Sequence, residues 1–189
     1  MAFNISTFKQ QMTGDGARPN LFRVTLGGAS GYLDVDSDDH FFIRASSIPG
    51  GTIGQVVVPY FGREVKFAGN RTFAEWTVTV INDENFKTRG RLERWMERIN
   101  NHQANLRSGN TPGGYFGTGT VTQLGKNTST QTLRTYSFVN IFPTDLSEIT
   151  LDWGDNDSIE EFTCTFAYDY WTATSSGSPA TGATQAIIA

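Results

Sequence analysis

The stretch LDWGDNDSIEEF, residues 151–162, places five carboxylates (Asp152, Asp155, Asp157, Glu160, Glu161) in twelve positions that contain no lysine or arginine. Such a density of acids could hold a divalent cation or supply a general acid–base pair. A calcium loop needs oxygen ligands at alternate positions, a glycine at the sixth for the sharp turn, and a bidentate glutamate at the twelfth. Counted from Asp155, the sixth residue is Glu160 and the twelfth is Phe166, so the pattern fails at both. GDND has turn chemistry instead, because glycine tolerates positive φ and Asn or Asp side chains bond their own backbone. On that reading Ile159 onward begins a strand, and Glu161 opens its polar face.

Other chemistries are poorly supplied. GTVTQLGKN (119–127) approaches a phosphate-binding loop, but five residues separate its glycines where the motif has four, and Asn127 follows the lysine where Ser or Thr belongs. Two histidines, His40 and His102, and one cysteine, Cys164, offer little for a zinc site or a nucleophile–base pair. Lys87, Arg89, Arg91, Arg94 and Arg98 crowd one segment against Glu93 and Glu97. That segment is a solvated helix face with spaced pairs such as Arg89–Glu93 and Arg94–Glu97, a nucleic-acid face, or a surface for an acidic neighbour.

Composition bounds the class. The 189 residues suffice for one domain with a core, and 14 Phe against 3 Met, with 20 Gly, favour sheet over helical bundle. The net charge of −4 does not draw free nucleic acid to the chain as a whole. A lone cysteine makes no internal disulfide, the N-terminal stretch lacks the pattern of a signal peptide, and no apolar run reaches the roughly 20 residues of a membrane helix. A soluble protein made in a reducing cytoplasm, with no membrane anchor, is the expectation.

The elements follow from periodicity. Residues 1–20 are a polar lead-in. LFRVTL (21–26) puts Phe22, Val24 and Leu26 on one face, and the Gly/Ser/Asp-rich 27–39 leads as a loop into a second strand at 40–45. SIPGGTIGQVVVPYFG (47–62) is a protruding loop or edge hairpin, because proline cannot donate to a central ladder. Residues 63–83 hold two strands hinged at Gly69, the second alternating Ala74, Trp76, Val78 and Val80 with Glu75, Thr77 and Thr79. The one good helix spans about 85–104 through Leu92, Trp95, Met96, Ile99 and Gln103, capped by Asn82 or Asp83. Residues 108–132 form a long loop with a short strand at 119–124. A strand at 133–142 is ended by Pro143, and the last strand, 161–170, points Phe162, Cys164, Phe166, Tyr168 and Tyr170 inward. Residues 172–189 have the composition of a flexible tail.

Four stretches, ARPNLF (17–22), AGNRTFAEWTVTVINDE (68–84), FPTDLSEITLDW (142–153) and IEEFTCTFAYDYW (159–171), together resemble the tail tube proteins of contractile-tailed, T-even-type phages. The resemblance, which covers about residues 17–171, implies a mainly β, antiparallel sandwich or barrel with one flanking helix, the tail-tube fold; with the lead-in 1–20, residues 1–171 are the single domain that length favours, followed by the tail 172–189. The resemblance further implies a structural virion protein, assembled in the host cytoplasm, that forms hexameric rings stacked into a tube. The implied partners are further copies of itself, the tail sheath protein, baseplate and tail-terminator proteins, and the tape-measure protein and DNA that pass through the lumen. It carries over no catalytic residue, metal ligand or cofactor. A tube-initiator paralogue and the tube of a related secretion or injection machine share the pattern. A calcium-binding or carboxylate-based enzyme module centred on 152–161 is the competing reading of another class.

For the ring-to-ring contact the expected residues are Ile53, Val56, Val58, Tyr60 and Phe61, apolar positions an isolated monomer has little reason to display. For the lumen wall or an interface they are Glu75, Glu161 and Asp169, carboxylates on polar strand faces that would keep phosphates from binding.

Overall fold

The computed structural model describes residues 4–12, 16–27, 42–107, 114–126, 131–175 and 178–181. Helix α1 (Ile5–Gln11) precedes β1 (Phe22–Gly27), β2 (Ile43–Ser46), β3 (Thr52–Tyr60), β4 (Arg63–Thr72) and β5 (Trp76–Ile81). Helix α2 (Lys87–Ile99) then leads to β6 (Gly117–Leu124), β7 (Thr132–Leu146), β8 (Glu161–Ala167), β9 (Tyr170–Ser175) and β10 (Ser178–Thr181). Every pairing among them is antiparallel. The main path runs β1-β6-β7-β8-β5-β2, with β9 and β10 attached through β7, while β3 and β4 form a separate hairpin.

β7 joins two sheets. Its residues 134–139 lie between β6 and β9, and Phe142–Leu146 pair with β8. Between these halves Asn140 has φ of 56°, a left-handed conformation that asparagine tolerates better than most residues, and its Nδ2 donates to Asp169 Oδ2 at 2.5 Å. The two sheets close on one core. Trp76, Val78 and Val80 of β5 sit opposite Phe166, Cys164 and Phe162 of β8, and all six are buried. The Trp76 ring stacks on Phe138 of the other sheet at 4.4 Å. α2 covers the rest of that face, with Leu92 and Trp95 buried in the same cluster.

Several expectations need correction. α1 lies within the lead-in, held by Asn4 Oδ1 accepting from Ser6 N–H and burying no side chain, so no apolar stripe announced it. The main helix is shorter than 85–104, because Asn100 is extended and Asn101 Oδ1 instead accepts from the N–H groups of Gln103 and Ala104. Its N-cap position is Phe86, although Asp83 Oδ1 does accept the first helical N–H, that of Lys87. The break expected at Gly69 falls at residues 73–75; Gly69 lies inside β4 against Gly54, where a Cβ would come within 3.1 Å of backbone. Pro143 does not end β7, because it sits at a register irregularity where its missing N–H is tolerated. The last strand breaks after Ala167, so Tyr170 opens β9 and is exposed, and the expected tail begins as β9 and β10. Residues 28–41, 108–113, 127–130 and 182–189, which include His40 at the start of the expected strand 40–45, parts of two expected loops and part of the tail, lie outside the described residues.

The short strand expected at 119–124 is present as β6, which starts two residues earlier, at Gly117, and lies between β1 and β7. Its glycines make room for large neighbours. A Cβ on Gly117 would lie 2.5 Å from the Gly27 carbonyl oxygen and 2.7 Å from the Trp95 ring. Gly117→Ala is therefore expected to lower stability by at least about 1–3 kcal/mol, read from the midpoint of a urea unfolding curve; an unchanged midpoint would contradict this packing.

Candidate functional site

The β3–β4 hairpin runs in register from Thr52↔Thr72 to Tyr60↔Arg63, with one irregularity at Ile53–Gln55. Its tip is Phe61–Gly62, both at positive φ (45° and 78°), the geometry that matches a two-residue turn to the twist of the strands. Every residue from Thr52 to Thr72 except Gly69 is exposed. Ile53, Val56, Val58, Tyr60 and Phe61 all lie on it; Tyr60 is 64% and Phe61 91% accessible, their rings in edge contact at 4.7 Å. Val57, Val65 and Phe67, which periodicity did not single out, extend the same bare surface. The root is fixed: Trp171 Nε1 donates to the Gly50 carbonyl at 3.2 Å and Trp76 Nε1 to that of Ser47 at 3.1 Å.

The three carboxylates do not share one strand face. Glu75 precedes β5 and is exposed, and Asp169 occupies the bend between β8 and β9, where it accepts from Asn140. Glu161, the first residue of β8, pairs with Arg44 of β2 at the opposite end of the β5–β8 ladder. Between these ends the outward face of β5 and β8 is lined by Thr77, Thr79, Thr163 and Thr165, and the hydroxyls of Thr77 and Thr165 are 3.2 Å apart.

The acidic segment is built by turn chemistry. Asp152 Oδ1 accepts the Gly154 N–H at 2.8 Å, and the Asp155 N–H reaches the Asp152 carbonyl at 3.3 Å. Among the described residues no group of three or more His, Cys, Asp or Glu is arranged to hold a metal ion. What sequence reasoning missed is the apolar content of this loop. Trp153 is 98% accessible, and Leu151 and Ile159 are also well exposed. The available signal was an aromatic residue inside a turn, where neither strand nor helix periodicity gives it a buried side.

The remaining candidates are absorbed by the fold. Residues 119–124 lie in strand β6, so their backbone donors serve ladders rather than a phosphate. On α2, Arg89 bonds Glu93 at 2.9 Å, donates to the Ser147 carbonyl at 3.1 Å and lies over the Phe162 ring. Arg94 Nε donates to the Gly90 carbonyl, not to Glu97. Cys164 is fully buried; burial, with a smaller contribution from the Asp145 charge, pushes its thiol up to about 12.

Besides its buried core, this β-sandwich carries apolar surface outward on a separate hairpin and on a loop, the kind of surface that marks an interaction site. The family model described as phage tail tube protein matches residues 17–174, and the chain belongs to that family. It is 35% identical over 159 residues to the tail tube protein gp19 of Enterobacteria phage T4, covering 84% of this chain and 93% of that one. To the tail tube protein of Serratia phage KSP90 it is 29% identical over 168 residues, covering 87% and 93%. Among solved structures it shares its fold with a chain of the sheath–tube complex of the extracellular contractile injection system PVC (TM-score 0.60, 18% identity, 93% of this chain and 100% of that chain). A chain of the anti-feeding prophage tube-terminating cap is similar at TM-score 0.63 and 17% identity, covering 85% and 92%.

The thiol gives a direct check on the core. In the folded chain Cys164 is expected to stay unmodified by a thiol reagent at pH 8 and to react fully once urea unfolds the protein. The raised folded value means that the unfolded state loses the proton first, so this residue's contribution to stability is complete below pH 9.0 and declines as pH rises toward 12. Rapid labelling under native conditions would contradict the placement.

Proposed function

We propose that this chain is the building block of the inner tail tube of a contractile-tailed phage. Six copies form a ring, rings stack into a hollow tube inside the sheath, and the genome travels through the bore. The role is structural, with no catalytic step and no cofactor. The single observation that carries this reading is the bare hairpin. Two strands alone are marginal in water, and among the described residues this pair has no other strand beside it and both faces exposed, so a neighbouring copy is its natural cover. Ile53, Val56, Val58, Tyr60 and Phe61 are assigned to that ring-to-ring contact.

Ring closure is a second contact of a different kind. β1 and β2 end the main sheet path, each leaving one edge unpaired among the described residues. Joining such edges around a closed circle satisfies the backbone groups and removes the template for uncontrolled pairing. The Thr-rich outward face of β5 and β8 is assigned to the bore. Hydroxyls, Glu161 and an Arg44 already committed to it present no free cation to phosphate. Glu75 and Asp169 sit at the far end of the same ladder and add negative charge there.

The remaining partners follow from the tube's place in a virion: the sheath protein around it, baseplate and terminator proteins at its ends, and the tape-measure protein and DNA within. The sheath–tube complex among the structural relatives supports the first of these. Assembly in the host cytoplasm goes with this role.

Electron microscopy of the purified protein at raised concentration is expected to show sixfold rings or smooth tubes; a persistent monomer would overturn the proposal. In a solved tube, the potential on the inner surface is expected to be neutral or negative. A dominantly positive bore would refute the lumen assignment.

A further inference from the structure

The hairpin and the acidic loop leave opposite ends of one ladder. β5 starts at Trp76, directly after the hairpin strand β4, and ends at Ile81, which faces Glu161, the residue where the loop 147–160 re-enters the sheet. Six strand residues at about 3.4 Å each put roughly 20 Å between these poles. In a head-to-tail stack, every interface presents one pole of a copy to the other pole of the next.

We propose that the loop 147–160 of one copy is the seat on which the β3–β4 hairpin of a copy in the adjacent ring docks. The proposal rests on the reading of the chain as a stacking tube subunit and names the counterpart of the hairpin within it.

Two properties make the surfaces complementary. Each is apolar and bare: Phe61 and Tyr60 crown the hairpin tip, while Trp153, Leu151 and Ile159 stand out from the loop. A solvent-facing tryptophan that can be fully desolvated is the kind of residue that dominates interface energetics. Each surface also carries the charge the other lacks. The hairpin has Arg63, Lys66 and Arg71 against one carboxylate, Glu64. The loop has Glu148, Asp152, Asp155, Asp157 and Glu160, and no lysine or arginine follows Arg134 anywhere in the chain. Opposite charges around apolar anchors fix register and suppress wrong pairings.

The loop is also held ready. The Asn82 N–H bonds the Glu160 carbonyl at 2.9 Å, Asn82 Nδ2 bonds Glu160 Oε2 at 2.8 Å, and Arg89 holds the Ser147 carbonyl at the other end. A seat fixed at both ends loses little freedom on binding. This gives a role to Glu148, Asp152, Asp155 and Asp157, which the core leaves exposed.

The test places a cysteine beside the anchors on each surface of the full chain, Glu64→Cys with Asn156→Cys, leaving Tyr60, Phe61 and Trp153 in place. Both positions are exposed, so the core is untouched, and Cys164 is shielded. Tubes of the double variant treated with a short bis-maleimide are expected to give a ladder of linked multimers, with the 64–156 link identified by peptide mass. Tubes that form but yield no such link overturn the seat while leaving the tube reading intact. A wild-type chain that never forms tubes overturns the tube reading and the seat with it. As an independent arm, Asp155→Lys with Asp157→Lys is expected to raise the concentration needed for tube growth at least about tenfold, since like charges are then juxtaposed. Adding Arg63→Glu and Lys66→Glu is expected to restore growth; a combined variant no better than either reversal would refute the pairing.

Discussion

The stack of Trp76 on Phe138 is the contact on which the architecture turns. Those two rings come from different sheets, and the strand carrying Phe138 changes partners only two residues later, at Asn140. A strand that serves two sheets forces them into one body, since neither can shift without dragging the other. The same indole anchors the hairpin root through Ser47, so the core sets the direction in which the hairpin leaves the sandwich. Interior packing and outward presentation are thus two ends of one side chain.

Where burial imposed a period, the fold was legible from residue order. β5 and β8 alternate cleanly because one face meets the core and the other meets solvent, and Leu92 with Trp95 marked the buried side of α2. What neighbouring elements imposed was not legible. β6 was legible as a short strand, but not the reason for its glycines: Gly117 and Gly119 are needed because Trp95, Phe138 and Ile141 occupy the space above them. β7 passes through Pro143 because the ladder is already irregular there. α1 depends on a local cap and buries nothing, so no pattern recorded it. The exposed apolar surface was half legible: the run 53–61 stands out because proline and glycine interrupt it, whereas Trp153 lies inside a stretch dominated by acids.

Charge is sorted along the chain as well as apolar surface. Every lysine and arginine precedes residue 135, so the C-terminal strands and the acidic loop form a wholly anionic segment beside a basic helix and hairpin. Within one copy Arg44–Glu161 and Arg89–Glu93 use a little of this contrast. Exposed pairs of this sort add little stability, typically under about 1 kcal/mol. The sorting therefore adds little within one molecule, and the proposed docking is where it would act by orienting neighbours.

A hairpin left bare until a neighbour arrives also affects timing. If rings stack as proposed, a hairpin of two strands gives up freedom on docking, so the first meeting of two free rings has to order many hairpins together, which is entropically steep. A ring arriving at an already ordered end faces a smaller barrier. Growth is then slow to begin and fast to continue, and free subunits persist in solution until something pre-arranged offers the first seat. The same weakness that leaves the isolated chain incomplete would let a template decide where a tube starts.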